Sequence, residues 1–257
     1  MFDFHMHSTV SFDAKDTAKD MVAAAEAKGL KEICFTDHID YTPEMDMVFD
    51  TQAYWAAYEN LRSDKVLVRR GMEYGLEPGN QTRFKEDLNR FPFDFVIGSV
   101  HLVDGIDVYL EPYWRGKTYE QAIKLFLENT LACVESHEDY DVLGHLTFIA
   151  KARANPKRAL VPYEAHKSLF DEILRQLARH EKGMEVNTSG VDLCGGTLPT
   201  LDFVKRFHDL GGRIVTVGSD AHNRARVGQY SFEVVKELKE IFGYVCTFEG
   251  RKPIFHR

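Results

Sequence analysis

Apolar residues along this chain gather in short runs, and longer amphipathic stretches separate them. Seven runs read as strands: FDFHMH (2–7), EICFTDH (32–38), VLVRRGMEYG (66–75), FDFVIGSVH (93–101), DVLGHL (141–146), GMEVNTS (183–189) and GRIVTVGSDAH (212–222). Their Val, Ile, Phe and Tyr content and brief apolar cores suit strands buried in a parallel sheet. The intervening stretches carry helical signals. TAKDMVAAAEAKG (17–29) offers Thr17 as N-cap, Asp20 at the capping-box position and a terminal glycine. TYEQAIKLFLENTLACVES (118–136) sets Ala122, Leu125, Phe126 and Leu131 near one face. The stretch 162–183 opens on proline and closes on glycine, and 199–212 and 231–243 repeat the scheme. Strands and helices in alternation predict an α/β fold with parallel strands, either a barrel or an open doubly wound sheet. No linker or low-complexity tract divides the chain, so one domain over 1–257 is expected.

Polar residues interrupt the apolar runs at a recurring place. His5/His7, Asp37/His38, Glu73, His101, His145, Asn187 and Asp220/His222 each fall at the C-terminal end of a different predicted strand. In a closed barrel those ends converge on one mouth, whereas an open sheet would string them along a line. The placement therefore predicts a distorted (β/α)7 barrel with its site at the strand ends. His5 and His7, two apart on a strand, point to one face and either hold a metal together or form a pair on a solvated edge. Six of the eleven histidines share this placement. The other five (His137, His166, His180, His208 and His256) fall in helical patterns or the tail and read as ordinary surface or capping residues. Imidazole nitrogen with carboxylate oxygen is the donor set of zinc, manganese and non-haem iron sites.

Charge and cysteine content narrow the partners. The formal net charge is −8 and the basic residues are scattered, which disfavours a nucleic-acid surface. Bound cations would still admit a small anionic substrate. Cys34, Cys133, Cys194 and Cys246 form no CxxC pair and read as reduced thiols. Asp3 and His5 interrupt any apolar leader, and no run is long enough to span a membrane. A soluble, cytoplasmic protein is expected.

The ordered series HMH, FTDH, GMEYG, GSVH, LGH, EVNTSG and GSDAH resembles the PHP (polymerase and histidinol phosphatase) superfamily. The ending YVCTFEGRKPIFH (244–256) is similar to that of its histidinol-phosphate phosphatase branch, and the likeness runs from residue 2 to about 256. The resemblance implies three divalent transition-metal ions (Zn, Mn or Fe) at the barrel mouth. It places His5, His7, Glu73 and Asp220 on the first ion. Glu73 bridges to a second, completed by His101 and His145. His38 and His222 hold the third with Asp13, a position where many members have histidine, and Asp16 is the fallback. Asp37 reads as an orienting group for an imidazole or a strand-end cap. The implied reaction is hydrolysis of L-histidinol phosphate, a step of histidine biosynthesis, by a hydroxide bridging two cations. Glu73, Asp220 and His222 are the expected catalytic residues, with Asp220, His222 or a water protonating the leaving alkoxide. Lys151, Arg153, Asn187, Ser189, Arg224 and Arg226 are candidates to bind the substrate, all on loops of the mouth side. Three other readings stay open: another phosphoesterase of the superfamily, acting on a different monoester or on phosphotyrosine; a two-metal barrel nuclease; and a non-catalytic metal-binding barrel.

Overall fold

The computed structural model of the chain describes residues 1–42 and 46–257. Seven parallel strands pair in sequence order: β1 (Phe2–Met6), β2 (Glu32–Tyr41), β3 (Leu67–Gly75), β4 (Phe95–Ser99), β5 (Val142–Leu143), β6 (Gly183–Asn187) and β7 (Val215–Gly218). A helix follows each: α1 (Ala18–Ala27), α2 (Thr51–Tyr58), α3 (Gln81–Leu88), α4 (Tyr119–Ser136), α5 (Lys167–Arg179), α6 (Leu201–Asp209) and α7 (Ser231–Phe242). The fold is a distorted (β/α)7 barrel. Closure runs through the chain beyond the last strand, where Asp220 N–H donates to the His5 carbonyl (2.8 Å) and His7 N–H to that of Ala221 (2.9 Å). The backbone that closes the barrel thus also carries its strand-end histidines and Asp220.

Several element ends differ from the sequence reading. The run 141–146 keeps only Val142–Leu143 as regular strand, and 212–222 only Val215–Gly218, with Ala221 still bridged to Met6 beyond it. β2 continues three residues past His38 because Ile39, Asp40 and Tyr41 pair antiparallel with the short strand Asp46–Val48. The helical stretch from residue 162 begins as a 3-10 turn, Tyr163–His166, before α5 starts. At α1 the Thr17/Asp20 capping box forms on both sides, and Gly29 follows with φ of 70°. α2 and α3 are additions to the sequence reading. α3 buries only Phe84 and Asp87, and α2 buries Tyr54 and Tyr58, so neither has an apolar stripe to betray it.

The end opposite the mouth is capped by a hairpin, β8 (Val245–Glu249) with β9 (Lys252–His256). Phe248 packs on Phe95 with ring centroids 4.8 Å apart, and Phe95 meets Phe4 edge-on at 5.5 Å. Arg69 joins Glu32 and Glu249, each at 2.7 Å, and Arg251 reaches Asp141 at 2.5 Å. Among the described residues no helix is long and apolar enough to cross a membrane.

Candidate metal centre at the barrel mouth

The strand ends bring four donor atoms from three elements to one point. His5 Nε2 lies 3.2 Å from Glu73 Oε2 and 3.7 Å from Asp220 Oδ1, and His7 Nε2 lies 3.5 Å from each of the same oxygens. An ion held tetrahedrally at about 2.1 Å from its ligands keeps neighbouring ligand atoms about 3.4 Å apart, so these spacings fit one cation. The buried atoms also want a partner: His5 Nε2, His7 Nε2, His38 Nδ1, Glu73 Oε2 and His145 Nδ1 have no hydrogen bond. Orphaned buried polar atoms are costly unless something absent from the protein satisfies them.

The opposite edges of the imidazoles fix their orientation. His5 Nδ1–H donates to Glu185 Oε1 (2.7 Å), and since the carboxylate only accepts, the Nε2 lone pair is aimed at the cluster. His101 Nδ1–H donates likewise to Asp40 Oδ1 (2.9 Å), and His222 Nδ1–H to the Asp220 carbonyl (2.9 Å). For His7 the support is indirect. Its Nδ1 faces Ser11 Oγ at 3.3 Å, and Ser11 donates to Asp37 Oδ1 (2.7 Å), which also takes Ser8 N–H, while Asp37 Oδ2 takes the Tyr58 hydroxyl. Tight packing allows these acids in. A Cβ on Gly218 would run into His5 and Glu185, and one on Gly75 into the Asp40 carboxylate. Asp220 itself sits at φ 54°, a left-handed conformation that turns its carboxylate inward.

Two further donor groups adjoin the first. Glu73 Oε1 is 2.8 Å from His145 Nε2 and 3.4 Å from His101 Nε2, and those two nitrogens are 3.5 Å apart. Asp13 Oδ2 lies 3.0 Å from His222 Nε2 and 3.7 Å from His38 Nε2. His7 stacks on His38 with centroids 4.2 Å apart. The histidine and carboxylate cluster fits a metal site. Asp16 is turned elsewhere, accepting from Arg224 N–H at 2.8 Å.

Burial opposes charge throughout the cluster, yet the ionised partners prevail at several positions. Burial would raise the Glu73 carboxyl, but His5, His38 and His101 hold it well below the usual carboxylate range. The Asp13 carboxyl settles at about 2, where His222 and His38 overcome its burial. His38 is pushed up to about 9, since Glu73, Asp40 and Asp13 outweigh its burial. His7 moves the other way: burial first, then the His222 and His38 charges, drive it well below its ordinary value. A divalent cation bound here would displace any proton these imidazoles hold.

The candidate substrate-binding residues separate. Lys151 is drawn into the mouth, where its Nζ pairs with Asp220 and donates to Ser189 Oγ (2.9 Å). Ser189 and Arg226 line the same cavity of about 620 Å³, although the Arg226 guanidinium is already paired with Asp192. Asn187 is buried beneath the surface of the mouth; its Oδ1 accepts from Ser189 N–H (3.0 Å) and Oγ (2.6 Å). Arg153 and Arg224 are exposed and outside the cavity lining. Sequence reasoning passed over Asp40, hidden by an end of β2 drawn too early, and Glu185. A lone acid in the fully buried run GMEVN was the available signal, since a buried carboxylate needs a partner.

A family model described as PHP domain matches residues 3–189. The chain is 34% identical over 261 residues to the histidinol-phosphatase of Lactococcus lactis subsp. lactis, covering 97% of this chain and 95% of that one. It is 32% identical over 233 residues to a probable histidinol-phosphatase of Clostridium acetobutylicum, covering 89% of each. A crystal structure of histidinol phosphate phosphatase from Lactococcus lactis, complexed with zinc, L-histidinol and phosphate, superposes with a TM-score of 0.89 at 30% identity, covering 98% of both chains.

Proposed function

This chain belongs to the PHP domain family, and from that premise we propose that it hydrolyses L-histidinol phosphate to L-histidinol and phosphate with bound metal ions. The observation that carries the reading is the set of donor atoms from His5, His7, Glu73 and Asp220, spaced 3.2–3.7 Å apart, three of them without hydrogen bonds. One ion is assigned to these four residues, a second to Glu73, His101 and His145, and a third to Asp13, His38 and His222. Zinc accompanies the Lactococcus relative, and manganese or iron would suit the same donors. Such ions, when bound, lower the pKa of water and offset phosphate charge.

The chain's own groups have distinct tasks in this reading. Glu185 and Asp40 keep the His5 and His101 imidazoles in the tautomer that presents Nε2. The Lys151 ammonium, held beside Asp220 and Ser189, is placed to neutralise a phosphate oxygen. The proton that the leaving alkoxide needs would come from His222, Asp220 or a water. A cytoplasmic setting belongs to the same proposal and is supported by four unpaired cysteines, of which Cys34, Cys133 and Cys246 are buried.

The test is kcat/KM for histidinol phosphate beside phosphotyrosine and sugar phosphates, with inorganic phosphate as inhibitor. A clear preference for histidinol phosphate and competitive inhibition are expected. Equal values across the panel would make this a general phosphatase instead.

A further inference from the structure

β1 carries an acid, Asp3, two residues before His5, and it is fully buried. A carboxylate in such a place is costly unless donors satisfy it. Its Oδ1 accepts from Ser219 N–H (2.8 Å) and, at 3.5 Å, from His5 N–H. Its Oδ2 accepts from the Ser219 hydroxyl (2.5 Å) and from Gly228 N–H (2.7 Å). The two ends of one loop, 219–228, thus meet on a single carboxylate.

That loop delivers Asp220, His222 and Arg226 to the cavity. Its first residues follow β1 step by step. Ser219 bonds the Asp3 carboxylate, Asp220 N–H donates to the His5 carbonyl (2.8 Å), and the Ala221 carbonyl accepts from His7 N–H (2.9 Å). Asp220 holds φ at 54°, which a residue other than glycine keeps only where its surroundings impose it. Farther along, Lys28 Nζ donates to the Ala225 and Val227 carbonyls, each at 2.7 Å. Lys28 is exposed, whereas Asp3 lies buried at the root of the loop, where charge-assisted hydrogen bonds escape screening.

We propose that Asp3 is a positioning residue: its carboxylate ties both ends of loop 219–228 to β1 and so holds Asp220 in the conformation that binds the first ion. The inference rests on the metal-dependent function proposed above and adds a residue that acts through the backbone rather than on the ion. Groups that orient a metal ligand typically contribute about 10–100-fold to metal affinity. Asparagine in place of Asp3 would turn an amide N–H2 towards Ser219 or Gly228, setting donor against donor where the carboxylate accepts.

The experiment sets Asp3→Asn beside Asp171→Asn, which alters a buried acid of α5 that bonds Arg206 of α6, outside the cavity lining. Zinc affinity is read by competition with a chromophoric chelator, ligand geometry by the visible absorption of cobalt(II)-loaded protein, and stability by urea unfolding of metal-free protein. Asp3→Asn should lose roughly tenfold to a hundredfold in zinc affinity and alter the cobalt spectrum. Asp171→Asn should lose stability in urea yet keep the wild-type affinity and spectrum. Ser219→Ala removes only the hydroxyl bond and should lose about twofold to tenfold in affinity, which decides the matter if Asp3→Asn does not fold. Unchanged affinity and spectrum in the folded variant, or an equal loss in Asp171→Asn, overturns the anchor. Wild type that binds no zinc overturns the anchor and the metal reading together. These zinc effects in a protein that leaves histidinol phosphate intact uphold the anchor and overturn the proposed substrate.

Discussion

Glu185 shows how much a single buried side chain decides at this mouth. Its two oxygens serve different strands, Oε1 accepting from His5 Nδ1–H (2.7 Å) and Oε2 from the His145 backbone N–H (2.8 Å). Glu185→Gln keeps the size but offers one acceptor where two are needed, so either the His5 tautomer or the His145 backbone loses its partner. Groups that orient metal-binding histidines typically contribute about 10–100-fold to affinity, and we expect a loss of that order in zinc binding, read by competition with a chromophoric chelator. Unchanged affinity would mean that His5 is oriented by packing alone. Residues of this kind resist sequence reading. His5, His7, Glu73, His101 and Asp220 stand out because polar side chains at the ends of apolar runs have an evident vantage on a barrel mouth. Glu185 and Asp40 lie within their strands, and only the packed structure shows that they accept from imidazoles.

At the scale of elements, α5 and α6 are joined by one acidic residue. Asp171, buried on α5, accepts from Arg206 of α6 through Nε (2.8 Å) and Nη2 (2.5 Å), from Arg175 (3.1 Å) and from the Tyr163 hydroxyl. Phe170 and Phe203 pack edge-on beneath it with centroids 4.5 Å apart. The Arg206 hydrogen bonds, foremost among the causes, hold the Asp171 carboxyl well below the usual carboxylate range. A depressed carboxyl stabilises the fold fully above its unfolded pKa of about 3.9; that contribution shrinks below this value and is lost as pH falls through the lower folded pKa. Wild type should therefore exceed Asp171→Asn in urea midpoint at about pH 7, and the gap should shrink at about pH 3. A gap independent of pH would assign the difference to packing. This junction was not legible in the sequence, although both helices were: the stretches 162–183 and 199–212 have clear apolar periods, but no pattern says which Asp meets which Arg. α2 and α3 mark the opposite failure, since their aromatic and polar compositions hide real helices that only their seat on the barrel stabilises.

For the whole molecule, closure and chemistry coincide. The barrel shuts where Asp220 and His7 bond across β1 and the turn after β7, while the β8–β9 hairpin seals the far end with Phe248 and the Arg69 and Arg251 ion pairs. One end is thus built for rigidity and the other gathers imidazoles and carboxylates from β1, β2, β3 and the turns after β4, β5 and β7. The barrel was readable because seven apolar runs each end in a polar residue; its irregular rim was not, because those runs do not mark where regular pairing in β5 and β7 stops. In the proposed function the imidazoles and carboxylates of this rim work through metal ions. Phosphate release from histidinol phosphate, measured on protein stripped by a strong chelator and again after zinc is restored, tests it most directly. Stripped protein should release no phosphate and should recover turnover on reloading; full turnover by protein shown to be metal-free would refute metal dependence.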